Sequence, residues 1–130
     1  MDLAKTHQLK IYSMSSRNLS YFDKTFFSAG PLEFLHLIQN ADFVISNSFH
    51  VSVFSVIYNK SFFVVGRKAG INSRMVNLLS KFDIQDRMIT DWEKDKRNVR
   101  EINFTIVKEK LEEYRLKSMK FIDDSLALSK

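Results

Sequence analysis

Two short apolar runs, Phe43–Ser46 and Phe62–Val65, decide the fold class of this chain. Their length and their β-branched and aromatic residues are typical of strands that are buried on both faces of a sheet. The apolar segment between them, Phe49–Tyr58, is long enough for a buried helix, and Ser48 is a suitable N-cap for it. Strand, helix, strand in this order predicts a Rossmann-like α/β fold, a parallel sheet flanked by helices.

Segments on the amino-terminal side extend this pattern. Leu9–Met14 is short and β-prone, which predicts a strand. Gly30 and Pro31 then open a helix that we expect to end near Asn40, because proline is well tolerated at the first helical position. Its apolar face is formed by Leu32, Leu35 and Ile38, with Phe34 and Leu37 beside them.

The carboxyl-terminal half alternates in the same way. Gly66 ends the second run, and Asn72 or Ser73 can cap a helix with apolar residues at helical spacing. Arg87–Thr90 is a candidate fourth strand, and the polar stretch Asp91–Asn103 predicts a loop. Residues 105–128 predict a long amphipathic helix, with one face formed by Val107, Leu111, Tyr114, Ile122 and Leu126.

Length and composition limit the classes of protein. A chain of 130 residues without a linker composition predicts a single α/β domain over residues 1–130. The chain has no cysteine, which excludes disulfides and thiolate metal sites. No apolar stretch reaches the ~20 residues that span a bilayer, and the first ten residues lack the apolar core of a signal peptide. We therefore expect a cytoplasmic protein that is not transmembrane.

The net charge of +5 does not point to nucleic acid. The basic residues cluster around Arg67, Lys68 and Arg74 and again over Lys94–Arg100, where acidic residues interrupt them. Mixed charge of this kind is typical of a solvated face, whereas a nucleic-acid surface needs a basic stripe with interleaved aromatic residues. We predict no nucleic-acid partner.

The carboxyl ends of parallel strands are where such sheets bind ligands. This rule selects three loops: Ser13–Arg17, Asn47–His50 and Gly66–Arg74. Helix N-termini near Ser48 and Ser73 offer N–H groups to an anion, and arginine adds a planar fork for carboxylate or phosphate. The sequence thus predicts an anion pocket with His50 in it as a candidate general acid.

Simpler interpretations stay open for these residues. A lone histidine is more often structural than catalytic, and Arg74 could pair with an acidic neighbour. The three histidines, His7, His36 and His50, show no metal-ligand spacing, so no metal is predicted. Glycine-rich nucleotide motifs and a nucleophile elbow are absent from the sequence.

Several motifs in order resemble the polysaccharide pyruvyl transferase family. They are Gly30–Phe34 (Gly-Pro-Leu-Glu-Phe), Ala41–His50 (Ala-Asp-Phe-Val-Ile-Ser-Asn-Ser-Phe-His) and Asn72-Ser73-Arg74, followed by Leu78-Leu79 and Asp86-Arg87. The resemblance covers about Leu9 to Arg87 and is to the carboxyl-terminal half of the family.

The resemblance implies the C-terminal lobe of a two-lobed enzyme of glycosyltransferase GT-B-like architecture, with the N-terminal lobe missing. It implies transfer of a pyruvyl group from phosphoenolpyruvate to sugar hydroxyls of a glycan or lipid-linked acceptor, in exopolysaccharide or cell-wall biosynthesis. It implies a donor-site role for His50 and no cofactor besides that donor substrate. The candidate substrate-binding residues are Asn47, Ser48, Phe49, Arg67, Lys68, Asn72, Ser73 and Arg74, of which Arg67 and Lys68 come from the basic loop alone.

Two positions depart from the family's pattern. Val51 stands where members commonly have glycine, and Ser48 stands where some active members have arginine. We therefore expect the isolated chain to be inactive, and active as a transferase only with the missing lobe. Alternatives are a sugar-nucleotide glycosyltransferase lobe and a non-catalytic remnant that binds anions. An exposed lobe interface would also allow a homo-oligomer.

Overall fold

A computed structural model describes residues 2–66, 73–97 and 100–128. Contacts between residues divide the chain into two compact units, residues 1–37 and 38–130, which are described separately. Such a division does not by itself make two domains, and the single domain over residues 1–130 stays a prediction. In the described residues no helix is long and apolar enough to cross a membrane.

The first unit contains a short helix and a small parallel sheet. Helix α1 is Asp2–Thr6, and strands β1, Tyr12–Ser13, and β2, Lys24–Thr25, pair in parallel. Asp23 ties the pair together, because its carboxylate accepts the Ile11 N–H at 2.7 Å. Strand β1 occupies only two residues in the second half of the predicted strand Leu9–Met14. Strand β2 was not predicted, since its two polar residues carry no periodicity.

Helix α2, Pro31–Asn40, has the predicted bounds and crosses from the first unit into the second. The second unit is built on strands β3, Phe43–Ser46, β4, Ser61–Val65, and β5, Met88–Ile89. They form a parallel sheet in the order β3-β4-β5. Helix α3, Phe49–Ile57, connects β3 to β4, as predicted.

Helix α4, Ser73–Lys81, follows β4, and a 3-10 turn, Gln85–Arg87, leads into β5. The predicted strand Arg87–Thr90 is therefore shorter, because Arg87 belongs to the turn. The α/β class and the parallel strands are confirmed. Instead of one Rossmann-like sheet, however, the described strands form two small parallel sheets flanked by helices.

The main core lies on one face of the β3-β4-β5 sheet. Phe62 and Val64 of β4 pack there against Val56 of α3, Met75 and Leu79 of α4, Phe82 just after α4, and Val107 of the last helix. On the opposite face the Phe63 ring contacts two other rings. Its centroid lies 5.0 Å from that of Phe43 and 5.7 Å from that of Trp92. The alternation along β4 therefore buries Phe62, Phe63 and Val64 from both sides, as expected for a central parallel strand.

The carboxyl-terminal segment differs partly from its prediction. The stretch Asp91–Asn103 was predicted to be loop, but it contains a one-turn helix α5, Trp92–Asp95. Helix α6, Phe104–Leu128, has 25 residues and begins one residue before the predicted helix 105–128. Val107 is buried and Leu111 packs against the core, whereas the described residues from Glu112 onward are exposed. Of the rest of the predicted apolar face, Tyr114 meets the ring of the buried Phe82, with centroids 5.9 Å apart, whereas Ile122 and Leu126 are 48% and 59% exposed.

Candidate functional site

The carboxyl ends of β3, β4 and β5 lie at one edge of the sheet. Ser46 is aligned with Val64, and Val65 is aligned with Ile89, so the segments that leave the three strands start side by side. They are the turn Asn47–His50, Gly66 with the chain after it, and Thr90 with helix α5. This edge is where parallel sheets bind ligands, and we call it the carboxyl edge.

The turn Asn47–His50 is fixed by serine side chains. Ser46 Oγ accepts the Ser48 N–H at 3.0 Å, and Ser48 Oγ accepts the Val51 N–H at 3.5 Å. Ser48 has extended backbone angles and caps helix α3, which confirms its predicted role as N-cap. The first intrahelical bond runs from the Ser52 N–H to the Ser48 carbonyl, so the N–H groups of Phe49 and His50 precede it. Those two groups can serve a bound anion.

Phe49 brings His50 and Arg74 to the same place. Its half-buried ring packs against the core, and the Arg74 guanidinium carbon lies 4.7 Å from the ring centroid. The His50 imidazole meets the same ring edge-on, with centroids 5.9 Å apart at 82°. His50 and Arg74 are both exposed, as is Asn47. The structure thus joins three of the predicted site residues into one cluster, Arg74–Phe49–His50.

The remaining predicted site residues do not join this cluster or lie outside the described residues. Ser73 is exposed at the first position of α4, next to Arg74. Arg67, Lys68 and Asn72 lie outside the described residues. The loop Ser13–Arg17 belongs to the first unit, where Ser13 and Ser15 hydroxyls accept the N–H groups of Ser15 and Arg17, both at 3.1 Å. Substrate contacts of all these residues stay predictions.

The turn at Thr90–Asp95 also lies at the carboxyl edge and was missed in the sequence. Asp95 Oδ2 accepts the N–H groups of Thr90 and Asp91 at 2.7 and 2.8 Å. The hydrogen bonds from the backbone of Asp91 and then of Thr90 lower the pKa of this carboxyl below its ordinary value. The sequence signal for this turn was an aspartate, Asp95, at a distance from Thr90 that lets its side chain bind the backbone before a single helical turn. It was missed because the whole polar stretch Asp91–Asn103 was interpreted as loop.

Gly66 allows β4 and β5 to approach closely at this edge. A Cβ atom on Gly66 would lie 2.9 Å from Thr90 Cγ2 and 3.2 Å from Met88 Cγ. Its N–H donates to the Ile89 carbonyl at 2.9 Å. Glycine at this position therefore keeps the Thr90–Asp95 turn against the end of β4.

Asp86 and Arg87 lie at the amino end of β5, away from the carboxyl edge. Arg87 is 4% exposed, its guanidinium lies 5.4 Å from the Phe63 ring, and it donates to the Arg100 carbonyl. Asp86 accepts the Arg100 N–H at 2.7 Å. Burial lowers the pKa of Arg87, while the charges of Asp86 and Glu101 act in the opposite direction. This pair fastens the segment before α6 to the sheet beside a cavity of about 180 Å³.

Within the described residues no group of three or more His, Cys, Asp or Glu side chains could hold a metal ion. At the N-terminus of α3, the carboxyl edge offers a guanidinium, an imidazole and two helix N–H groups close together. Such an arrangement can hold an anion and move a proton.

Comparison with known proteins decides the family. A sequence model described as polysaccharide pyruvyl transferase matches residues 2–68 of the 130-residue chain, which is just over half of it. The chain belongs to the polysaccharide pyruvyl transferase family. The match includes the turn Asn47–His50 and ends before Arg74, so the resemblance over residues 69–87 stays a prediction, as does its assignment to the carboxyl-terminal half.

No curated protein and no solved structure matches this polysaccharide pyruvyl transferase-family chain significantly. The GT-B-like lobe therefore stays a prediction. Inside the matched region Ser48 caps helix α3, and the guanidinium at this turn comes from Arg74, outside the matched region.

Proposed function

We propose that this chain provides the donor side of a pyruvyl transferase that uses phosphoenolpyruvate and forms a pyruvyl ketal on a glycan. The observation that supports it is the cluster Arg74–Phe49–His50 at the N-terminus of α3, inside and beside the region that matches the family. Phosphoenolpyruvate carries a carboxylate and a phosphate, and the cluster offers a guanidinium and helix N–H groups to such anions.

The reaction needs one acid at the donor. Two sugar hydroxyls add to C2 of the enolpyruvyl group, its C3 methylene becomes a methyl group by gaining a proton, and the C2–O bond to phosphate breaks. The two hydroxyls together release two protons. One restores the acid that has protonated C3, and the other leaves with phosphate. In this proposal His50 delivers the proton to C3, since it is the exposed imidazole of the cluster. Arg74 holds the charged groups of the donor in place.

The acceptor in this proposal is a glycan or lipid-linked sugar of exopolysaccharide or cell-wall biosynthesis, modified in the cytoplasm. Turnover requires a second lobe to bring the acceptor to His50. The 130 residues alone are proposed to bind the donor without turning it over.

Donor binding can be tested on this chain. Titration of isotope-labelled protein with phosphoenolpyruvate is expected to shift the resonances of the His50 ring and of the Phe49 and His50 amides. Arg74→Gln should weaken this binding about tenfold or more, as expected for loss of a charge-assisted contact. His7→Ala, an exposed histidine in the first unit, is the matched control and should bind as the wild type.

Catalysis is tested in the full-length protein that contains this chain, by phosphate release and by the methyl signal of the ketal in the presence of candidate glycans. His50→Ala should reduce turnover by about 100-fold or more, the usual range for a general acid. Wild-type turnover in that variant would refute the role of His50. Tight, specific binding of a nucleotide sugar together with no binding of phosphoenolpyruvate would favour the glycosyltransferase alternative.

A further inference from the structure

The cavity beside Arg87 lies within the second unit, between the segment that follows α4 and the segment that leads into α6. Its volume is about 180 Å³, which equals about six water molecules at about 30 Å³ each. Its apolar lining residues are Phe82, Ile84, Ile102, Ile106 and Val107. Its charged lining residues are Asp83, Asp86, Arg87, Arg100 and Glu101. The cavity therefore offers charged and apolar walls to the same ligand.

Arg87 is the buried charge of this cavity. Its side chain donates to the Arg100 carbonyl, and among the described residues it forms no ion pair. Its Nε atom is buried as well and has no hydrogen-bond partner in the described part of the chain. A buried polar group costs free energy unless it is hydrogen-bonded, and a buried cation costs more. An acceptor in the cavity would therefore stabilise this guanidinium.

The carboxylates that line the cavity do not satisfy the Arg87 Nε–H. Asp86 accepts the Arg100 N–H at 2.7 Å and lies 4.0 Å from the Arg100 Nε. Asp83 and Glu101 are exposed, so solvent and salt screen their charges. Their negative charges still act on any ligand in the cavity, and they favour an anion with one charge over an anion with two.

The first turn of α6 forms another part of the wall, through Ile106 and Val107. Asn103 Oδ1 caps this turn, because it accepts the N–H groups of Thr105 and Ile106 at 3.2 and 3.4 Å. The N-terminus of a helix carries a partial positive charge, and here it belongs to a helix of 25 residues. The helix terminus and the unpartnered guanidinium therefore favour negative charge at the same place.

We propose that this cavity binds a small monocarboxylate with a short apolar chain. The carboxylate accepts the free Arg87 Nε–H, and the chain packs against Ile102 and Ile106. A ligand of the size of butyrate, with about six heavy atoms, matches a volume of about six water molecules. The site lies at the amino end of β5 and the Arg74–Phe49–His50 cluster lies at the carboxyl edge, so this proposal does not depend on pyruvyl transfer.

Butyrate is the probe for this site, and butylamine, with the same chain and the opposite charge, is the control ligand. Titration of isotope-labelled protein with butyrate at constant ionic strength should shift the Arg87 Nε–H resonance. The dissociation constant should lie in the millimolar range, as is usual for a ligand of about six heavy atoms. Inorganic phosphate should bind at least about tenfold more weakly, because its second charge is repelled by the carboxylates of the wall.

Three outcomes of these titrations would overturn the proposal. If the Arg87 Nε–H resonance does not move in butyrate, water is the acceptor in the cavity. If butylamine shifts it equally, the carboxylate is not recognised. If phosphate binds as tightly as butyrate, the site is not selective for a monocarboxylate.

Two variants of α6 test the location without changing Arg87. Ile106→Glu should raise the dissociation constant for butyrate about tenfold or more, because it adds a negative charge to the wall. Ile106 is 45% exposed, so the variant should fold, and circular dichroism checks this. Thr105→Glu is the matched control, since it adds the same charge to the same turn at an exposed residue outside the cavity lining. Its dissociation constant should stay within about twofold of the wild type. Equal weakening by the two variants would overturn this location.

Discussion

At the scale of single residues, Phe49 connects the core of the second unit to its exposed site. One part of the ring packs against the buried cluster, and the rest supports Arg74 and meets His50. An arginine over an aromatic face is held by the ring's charge distribution, which contributes about 0.5–1 kcal/mol at an exposed site. Phe49 therefore acts on the site by positioning, and we expect its effect to be visible in Arg74.

Phe49→Leu should release Arg74 from its fixed place. In the wild type the ring is expected to shift the Arg74 side-chain proton resonances upfield, and the variant should move them to the values of an exposed arginine. Phe49→Tyr should keep the shift, because the aromatic face is retained. Phe27→Leu, in which a 70% exposed ring of the first unit is changed, is the control. Ordinary Arg74 shifts in the wild type would contradict the stacking.

Arg87, like Phe49, makes two kinds of contact, one with an aromatic ring and one with the backbone of another segment. It is buried and charged, contacts the Phe63 ring, and holds the Arg100 carbonyl through its guanidinium. Lysine in its place would keep the charge but lose the planar fork and the stacking surface.

Arg87→Lys should lower the free energy of unfolding by about 2 kcal/mol, since it breaks a buried hydrogen bond to a charged group and leaves the Arg100 carbonyl without it. Urea denaturation followed by circular dichroism measures the change. The exposed Arg97 provides the matched substitution, and Arg97→Lys should stay within about 0.5 kcal/mol of the wild type. Equal unfolding midpoints for the two variants would show that Arg87 does not fasten this segment.

At the scale of elements, helix α5 is a single turn that depends on one carboxylate. Asp95 accepts the N–H groups of Thr90 and Asp91, at the point where β5 ends. A turn of four residues is too short to be stable by itself, so these bonds decide whether it forms.

The turn should therefore loosen in acid. The pKa of Asp95 is lowered in the folded chain, so its stabilising contribution is complete above the pH at which an ordinary aspartate protonates and is lost as the pH falls through the lowered pKa. Amide resonances of Thr90 and Asp91, followed from neutral pH downward, should move together with the Asp95 carboxyl. In Asp95→Asn these amides should not titrate. Titration of the amides in that variant would assign the effect to another group.

The elements also show what could be predicted from the sequence. The strands β3 and β4 and the helices α2 and α3 follow from apolar spacing, a proline and a serine cap, and their predicted bounds agree with the structure to within one residue. Strand β2 and helix α5 are held by single carboxylates, Asp23 and Asp95, which bind backbone N–H groups twelve and five residues away and leave no periodic pattern in the sequence. In the site, strand-end geometry predicted His50 and Arg74, but the stacking on Phe49 depends on the placement of α4 beside α3.

At the scale of the whole molecule, the two units differ in how much they bury. Of the described side chains in residues 3–37 none is buried, whereas the second unit has a core of aromatic and aliphatic residues. Regions with little buried surface open with a smaller free energy than a packed core.

Amide hydrogen exchange should therefore separate the units. The Phe26 amide, which donates to the Ser13 carbonyl at 2.7 Å, should exchange at least about 100-fold faster than the amides of Phe62, Phe63 and Val64 in β4. Exchange measured by NMR under native conditions gives both rates in one sample. Similar protection at the two places would mean that the chain opens as one cooperative body.

Trp92 gives this molecule an optical property that follows from its place in the fold. It is the sole tryptophan of the chain, and its ring lies edge-on to Phe63 within the turn that Asp95 closes. Its fluorescence therefore reports on the β5 end of the carboxyl edge without any label. Emission maximum and quenching during a ligand titration or an acid titration would register events there directly, with no contribution from another indole.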